Sequence, residues 1–162
     1  MFTIRAGYTD KVEVSTNLEK VRYFFSDIGN FIELMPNIES IYTDRKGIAH
    51  WKIAADIPLL GRFSQKFSVG IAEDSDERTE WLPISGETKN FLRYAVDYFE
   101  MGANRTLIQF TQAVELRRRS AMELHLLAPL ASESVISNEM GKGITEMIKL
   151  FVARARVRLE ET

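Results

Sequence analysis

Residues 138–161 read NEMGKGITEMIKLFVARARVRLEE, and their apolar positions recur every three or four residues. These positions are Met140, Ile144, Met147, Phe151, Ala155 and Leu159. Such spacing is typical of an amphipathic helix with one apolar stripe. At about 1.5 Å per residue the helix would be roughly 33 Å long, so its stripe needs a broad apolar partner. We therefore expect this helix to lie across a sheet formed by the preceding segments.

Two glycines, Gly141 and Gly143, interrupt the start of this pattern. A glycine in a helix interior costs about 1 kcal/mol relative to alanine. One interpretation is a bend or a late start, with the regular helix beginning near Ile144. The other is that the missing side chains leave room between helix and sheet. Met140 and Met147 would line that room with flexible thioethers that suit an irregular apolar ligand.

The composition favours one domain without covalent cross-links. The chain has 162 residues and no cysteine, which excludes disulfides, thiolate metal sites and a cysteine nucleophile. Its 21 Lys+Arg and 23 Asp+Glu give a formal charge of −2, unlike the basic footprint of nucleic-acid binders. The sequence has no apolar run long enough for a transmembrane helix and no signal-peptide core at its N-terminus. We expect one cytoplasmic domain over residues 1–162, monomeric or homodimeric, with no cofactor, no metal and no nucleic-acid partner.

Two short helices are predicted near the N-terminus. Thr16 and Glu19 match a capping box that would begin the first helix, and Gly29 stands where a C-terminal glycine is expected. Asn30 would cap the second helix, which should end before Pro36 because the residue before proline disfavours helical geometry.

Alternation with period two predicts strands on both sides of these helices. The predicted strands are residues 2–14, 38–43, 48–57, 62–73, 78–82, 89–101 and 105–116. Their short connections require antiparallel pairing between successive strands. Residues 117–137 are not assigned, since 122–127 could extend the last strand or open the long helix, and Pro129 suits a first helical turn.

Three stretches carry a resemblance to a known superfamily: residues 12–14 (VEV), 21–27 (VRYFFSD) and 31–41 (FIELMPNIESI). Together with the element order they resemble the START-like, or SRPBCC, superfamily. It includes the polyketide cyclase/dehydrase group, coenzyme Q-binding proteins and accessory factors of carbon monoxide dehydrogenase. The resemblance implies an α+β helix-grip fold, with a curved antiparallel sheet of about seven strands, two short helices and one long C-terminal helix. It also implies a cavity for apolar or amphipathic molecules between that helix and the sheet.

Residues suited to catalysis are few. His50 and His125 lie 75 positions apart without a metal-ligand pattern, and we expect both to be structural or surface groups. Arg93 and Asp97 share one face of a predicted strand, and an inward orientation would make them a buried pair for proton transfer or anion binding. The opposite face of that strand is more apolar, so we expect Arg93 and Asp97 to point outward.

Aromatic and apolar side chains on the inward phases are the candidate ligand-binding residues. They are Trp51, Phe67, Trp81, Tyr94, Tyr98, Phe110, Met140, Ile144, Met147 and Phe151. Ordinary core packing explains each of them equally well, because burying one such side chain contributes about 1.5–3 kcal/mol without a ligand. A curved sheet that one helix cannot fill would leave space for a ligand, whose polar head the tyrosine hydroxyls could orient.

Arginines cluster in two places. The first run is Arg117, Arg118 and Arg119, and the second set is Arg154, Arg156 and Arg158. One interpretation is a solvated turn together with cations that favour a helix C-terminus. The other is a patch that contacts an acidic protein partner or an anionic membrane surface.

These observations favour a protein that binds or transports a lipid, a quinone or a polyketide-like molecule. Two alternatives remain open at this point. One is a cyclase or dehydratase that uses Arg93, Asp97 or a cavity tyrosine, and the other is an accessory protein that acts through its surface.

Overall fold

The computed structural model describes residues 2–57, 61–123 and 132–161. Within these ranges the backbone forms seven strands, three α-helices and a short 3-10 helix at Ala121–Glu123. The strands are β1 (Phe2–Val14), β2 (Ile38–Thr43), β3 (Ala49–Ile57), β4 (Gly61–Asp74), β5 (Arg78–Pro83), β6 (Asn90–Gly102) and β7 (Arg105–Arg118). The helices are α1 (Leu18–Ser26), α2 (Ile28–Leu34) and α3 (Glu133–Glu160).

The seven strands form one antiparallel sheet in the order β1-β7-β6-β5-β4-β3-β2. The first strand pairs with the last along its whole length, from Phe2 opposite Arg118 to Val14 opposite Thr106. This pairing places β1 and β2 at opposite edges. The segment that carries α1 and α2 therefore connects one edge of the sheet to the other.

All seven predicted strands are confirmed, and their ends differ from the prediction by two residues at most. The alternation within β4 also identifies the inward face of this strand, where Phe63, Phe67 and Val69 are buried. Ile71 follows in the same alternation, but it is 50% exposed. The pairing of β4 with β5 shifts register between Ile71 and Glu73, so the regular alternation breaks near the end of the strand.

The predicted start of α1 is wrong by one residue. Asn17 is the N-cap, and its side chain accepts a hydrogen bond from the Lys20 backbone N–H at 2.8 Å. Thr16 is buried instead, and its carbonyl accepts a hydrogen bond from the Thr106 hydroxyl at 3.0 Å. A contact with β7 thus occupies the residue that the local motif had assigned to the cap.

The junction of the two short helices also differs from the prediction. Asp27, not Gly29, ends α1, and the Asp27 side chain caps α2 by accepting a hydrogen bond from the Gly29 N–H at 2.9 Å. Asn30 is inside α2, where its side-chain amide donates to the Phe24 carbonyl at 2.8 Å. The expected end before Pro36 is confirmed, since α2 ends at Leu34.

Helix α3 is longer than predicted. Ser132 caps it by accepting a hydrogen bond from the Val135 N–H at 3.1 Å, and the helix runs for 28 residues through Gly141 and Gly143. The late start near Ile144, one of the two interpretations of the glycines, is therefore wrong. The six residues of the predicted stripe are all buried.

Helix α3 lies along β1 and is joined to it at both ends. The Thr3 N–H donates to the Glu133 carboxylate at 3.2 Å, and the Ser15 N–H donates to the Glu160 carboxylate at 3.0 Å. The buried side of α3 packs with the inner face of the sheet into a core cluster that also includes α1 and α2. No helix in the described ranges is long and apolar enough to cross a membrane.

The 117–137 region is described only in part. Strand β7 extends to Arg118, and the 3-10 helix follows it. Leu124–Leu127, Pro129 and His125 lie outside the described residues.

Candidate functional site

A cavity of about 200 Å³ lies between the N-terminal half of α3 and the sheet. Its apolar wall combines the inner faces of β3, β4 and β7 with the buried stripe of α3. The apolar lining residues are Ile53, Ala54, Ala55, Phe63, Phe67, Val114, Met140, Ile144 and Met147. Because both layers contribute, this is the gap between helix and sheet that the sequence predicted.

Gly143 belongs to this wall. A Cβ atom built on Gly143 would meet nothing within 4 Å, and the same holds for Gly141. Only Gly143 of these two lines the cavity. Gly143 is thus the glycine of the pair that borders the cavity.

The polar lining lies among and around these apolar groups. It consists of Asn37, Asp56, Gln65, Glu139 and Glu146. Asp56 is 3.7 Å from Arg62 and Glu139 is 3.3 Å from Lys142. The lining residues that the structure describes include no Lys, Arg or His, so the cavity offers no cation to an anionic ligand.

The ten predicted ligand-binding residues are all buried, but they divide into two groups. Phe67, Met140, Ile144 and Met147 line the cavity. The other six are not part of its wall: Trp51, Trp81, Tyr94, Tyr98, Phe110 and Phe151. Five of these six, all except Tyr98, pack with Phe25 and Phe31 in a central aromatic cluster.

Phe31 of α2, like Phe25 of α1, is a residue of this cluster that sequence reasoning missed. Its ring centroid lies 5.5 Å from that of Trp51, 5.0 Å from Tyr94 and 4.7 Å from Phe151. Phe31 is fully buried and fills the centre of the space between α3 and the sheet. The cavity therefore occupies one end of that space instead of its whole length.

Several buried polar atoms have no hydrogen-bond partner among the described residues. They are Nε1 of Trp51 and Trp81, the hydroxyl of Tyr94, the side-chain amide of Gln112 and Nε of Arg22. Gln112 is fully buried and lies opposite Tyr94 in the sheet, two residues from Val114 of the cavity wall. An unpaired buried amide costs about 1–3 kcal/mol, so Gln112 is a polar exception in an otherwise apolar core.

The two inward tyrosines are strongly protected from ionisation. Burial raises the pKa of Tyr94 well above its ordinary value and raises the pKa of Tyr98 to about 12. The Tyr98 hydroxyl lies 2.7 Å from the Thr79 hydroxyl, and both residues are buried. At neutral pH both phenols are therefore uncharged hydrogen-bonding groups.

Arg93 and Asp97 lie on the outer face of the sheet. Arg93 Nε donates to Glu80 at 2.9 Å, and Asp97 accepts from Arg78 Nε at 2.7 Å. Arg78 is also 3.8 Å from Glu80, so the four side chains form one cross-strand network. Neither Arg93 nor Asp97 lines the cavity.

His50 also lies on the outer face, one residue out of phase with the buried Trp51. Its Nδ1 is 2.9 Å from the Ser68 hydroxyl, and its Nε2 is 2.9 Å from the Asp44 carboxylate. The hydrogen bond with His50 is the main reason why the pKa of Asp44 is below its ordinary value. No group of three or more His, Asp or Glu side chains within the described ranges is arranged to hold a metal ion.

Most arginines of the two clusters contact other groups of this chain. Arg154 donates to the Leu34 carbonyl at 2.9 Å, and Arg158 donates to Glu33 at 2.7 Å, which ties the end of α3 to α2. Arg156 pairs with Glu160, and Arg117 pairs with Glu115. These four of the six clustered arginines therefore have partners within this chain.

Comparison with known proteins identifies the fold. A scan against protein-family models found no match, and a search of curated proteins found none either. Solved structures do match. A START superfamily protein from Mycobacterium smegmatis has a TM-score of 0.60 at 15% identity, over 95% of this chain and 97% of that chain. The chain has the START-like fold.

Two further structures share this START-like fold. Zhui aromatase/cyclase from Streptomyces sp. R1128 has a TM-score of 0.62 at 12% identity, over 96% of each chain. A conserved protein from Geobacillus kaustophilus has a TM-score of 0.65 at 11% identity, over 96% of this chain and 95% of that chain. The structural similarity shows the fold. At identities this low it does not identify a ligand, which has to be argued from the cavity.

Proposed function

We propose that this protein binds an uncharged, mainly apolar small molecule in the cavity between α3 and the sheet. The observation that carries the proposal is Gly143, whose missing side chain leaves space in an apolar wall formed by both layers. A START-like fold whose helix and sheet packed completely would have no such space.

The cavity volume limits what enters. An engineered apolar cavity of about 150 Å³ accepts benzene, and drug-sized ligands occupy roughly 300–1,000 Å³. A volume of about 200 Å³ therefore suits one or two rings or a short alkyl segment. We infer that a larger lipid, quinone or polyketide-like ligand would place only part of its apolar body beneath α3.

The similar structures support an apolar ligand but do not name it. One of them is described as an aromatase/cyclase. In the present chain Arg93 and Asp97 form ion pairs on the outer face, so we propose binding or transport in preference to catalysis by this pair.

A pair of glycine variants tests the site. Gly143→Leu places a side chain in the cavity, and Gly141→Leu adds the same side chain two residues earlier, outside the cavity wall. Binding of ethylbenzene, a one-ring apolar probe, is measured by isothermal titration calorimetry. We expect Gly143→Leu to weaken binding at least about tenfold and Gly141→Leu to change it by less than about twofold, because only the first removes apolar volume from the site.

Circular dichroism and urea unfolding show whether both variants keep the fold. Equal ethylbenzene affinity in the two variants would place the binding site elsewhere. Absence of ethylbenzene binding to the unmodified protein, up to the solubility limit of the probe, would refute the proposed function itself.

A further inference from the structure

Gln65 is the polar side chain on the inner face of β4 that lines the cavity. It lies between Phe63 and Phe67, which share this face, and opposite Ile53 of β3. All three of these apolar neighbours also line the cavity. The Gln65 amide is therefore set within apolar groups on which a ligand would rest.

The contacts of Gln65 fix which way its amide points. Arg118 Nη2 lies 2.9 Å from the Gln65 oxygen Oε1. Because a guanidinium can only donate hydrogen bonds, the Gln65 atom that faces it must be the oxygen. The same Nη2 donates to Asn90 Oδ1 at 2.6 Å, which in turn fixes the Asn90 amide.

Asn90 completes this network. Its Nδ2 donates to the Lys66 carbonyl at 2.7 Å and lies 3.4 Å from Gln65 Oε1. The two amide orientations agree with each other. The Arg118 guanidinium at one end of the network can only donate hydrogen bonds, and the Lys66 carbonyl at the other end can only accept them. The Gln65 oxygen is thus occupied, and its Nε2 has no acceptor among the described residues.

We propose that Gln65 determines the specificity of the cavity by donating a hydrogen bond from Nε2 to a neutral carbonyl oxygen of the ligand. The inference rests on the proposed function and narrows its ligand to an apolar body with a ketone, aldehyde, ester, amide or quinone oxygen. A carboxylate ligand is disfavoured, because the described lining of the cavity contains no Lys, Arg or His that could pair with it. Arg118 is a positioning residue that acts through Gln65.

The experiment compares two one-ring probes that differ in the oxygen. Acetophenone carries a carbonyl and ethylbenzene does not, and both are titrated calorimetrically into the unmodified protein and into Gln65→Leu. Comparing the same two probes in both proteins cancels their different hydration. We expect Gln65→Leu to weaken acetophenone binding about 3- to 10-fold, the effect of one hydrogen bond, and to change ethylbenzene binding by less than about twofold.

Gln65→Met provides a second, unbranched replacement in case the leucine variant does not fold, with the same expected result. If ethylbenzene binds the unmodified protein but acetophenone affinity is unchanged in the folded Gln65 variant, the inference is overturned while the proposed function stands. If ethylbenzene does not bind the unmodified protein, the proposed function itself fails.

Arg118→Met tests the positioning role with a readout that a general loss of stability would not give. Without the guanidinium the Gln65 amide can turn and offer its oxygen to a donor ligand such as indole. We expect the ratio of acetophenone affinity to indole affinity to fall at least about threefold in Arg118→Met. An equal weakening of both probes would show that Arg118 only supports the fold and would overturn this part of the inference.

Discussion

The ring of Phe31 stacks on the ring of Phe151, with centroids 4.7 Å apart and planes inclined by 23°. One ring comes from the short helix α2 and the other from the middle of α3. This contact joins the two helical parts of the fold at the centre of the core. It separates the cavity beneath the first half of α3 from the packed region beneath the second half.

Phe31→Ala should destabilise the protein and enlarge its interior. Phe31 is fully buried, and truncating a buried phenylalanine typically costs about 3–5 kcal/mol. Urea unfolding gives the change in free energy. Ile32→Ala on the same helix is the control, since Ile32 is 44% exposed and should cost much less. Similar losses in the two variants would contradict the central position of Phe31.

The sequence predicted the sheet and the stripe of α3 because alternation and helical spacing depend only on which faces are buried. It could not predict that Phe31 fills the centre, because periodicity assigns a ring to a face but not to its neighbours. Helix α2 has only seven residues, too few for a clear stripe. Both ends of α1 and the start of α2 were misplaced because Thr16 and Asp27 are engaged by contacts that a local motif does not contain.

The polar groups of the interior did leave a signal in the sequence. Gln65 and Gln112 both occupy the inward phase of their strands, between apolar residues of the same phase. A search for the polar exception on each apolar face would have found both. The prediction instead followed the aromatic residues, and six of its ten ligand-binding candidates are outside the cavity wall.

Gly143→Ala should stabilise the protein by about 0.5–1 kcal/mol. Both helix propensity and the reduced freedom of the unfolded chain favour alanine, and the new Cβ atom would meet nothing within 4 Å. Thermal unfolding measures the change. Gly86→Ala is a control of opposite sign, because Gly86 has a φ of +88° that alanine adopts with strain. Destabilisation by Gly143→Ala would show that α3 packs more closely on the sheet there.

Arg93→Gln and Asp97→Asn should each leave probe affinity within a factor of about two. Both side chains belong to the partly exposed outer network, where removing one ion pair typically costs up to about 1 kcal/mol. Calorimetric titration of ethylbenzene and urea unfolding provide the two measurements. Conversion of a polyketide-like substrate that is abolished in Asp97→Asn would contradict the outer-face assignment and restore the catalytic alternative.

At high pH the protein should lose stability in step with ionisation of its inner tyrosines. Burial raises the pKa of Tyr98 from about 10 to about 12, so the folded state favours the protonated phenol. The stabilisation is complete below the unfolded pKa of about 10 and is lost as the pH rises through about 12. Tyrosinate absorbance followed together with circular dichroism measures both events.

Thr79→Val makes this alkaline prediction specific. The Thr79 hydroxyl hydrogen-bonds Tyr98 and lowers its pKa, opposing the effect of burial. Removing that hydroxyl should therefore move the late ionisation to still higher pH, and Tyr98→Phe should remove the Tyr98 contribution. An unchanged titration in Tyr98→Phe would show that Tyr98 is not the group observed.

Hydrogen bonds hold both ends of α3 near the two ends of β1, since Glu133 accepts from the Thr3 N–H and Glu160 accepts from the Ser15 N–H just after the strand. A helix tethered at its two termini cannot swing away from the sheet like a hinged lid unless one tether breaks. The motion that keeps both tethers is an outward bow between them, and Gly141 and Gly143 in the first half of α3 carry no side chain there. We therefore expect a ligand to enter along the side of α3 that carries Glu139, Gly143 and Glu146, beside β3 and β4 and between the two hydrogen-bonded ends.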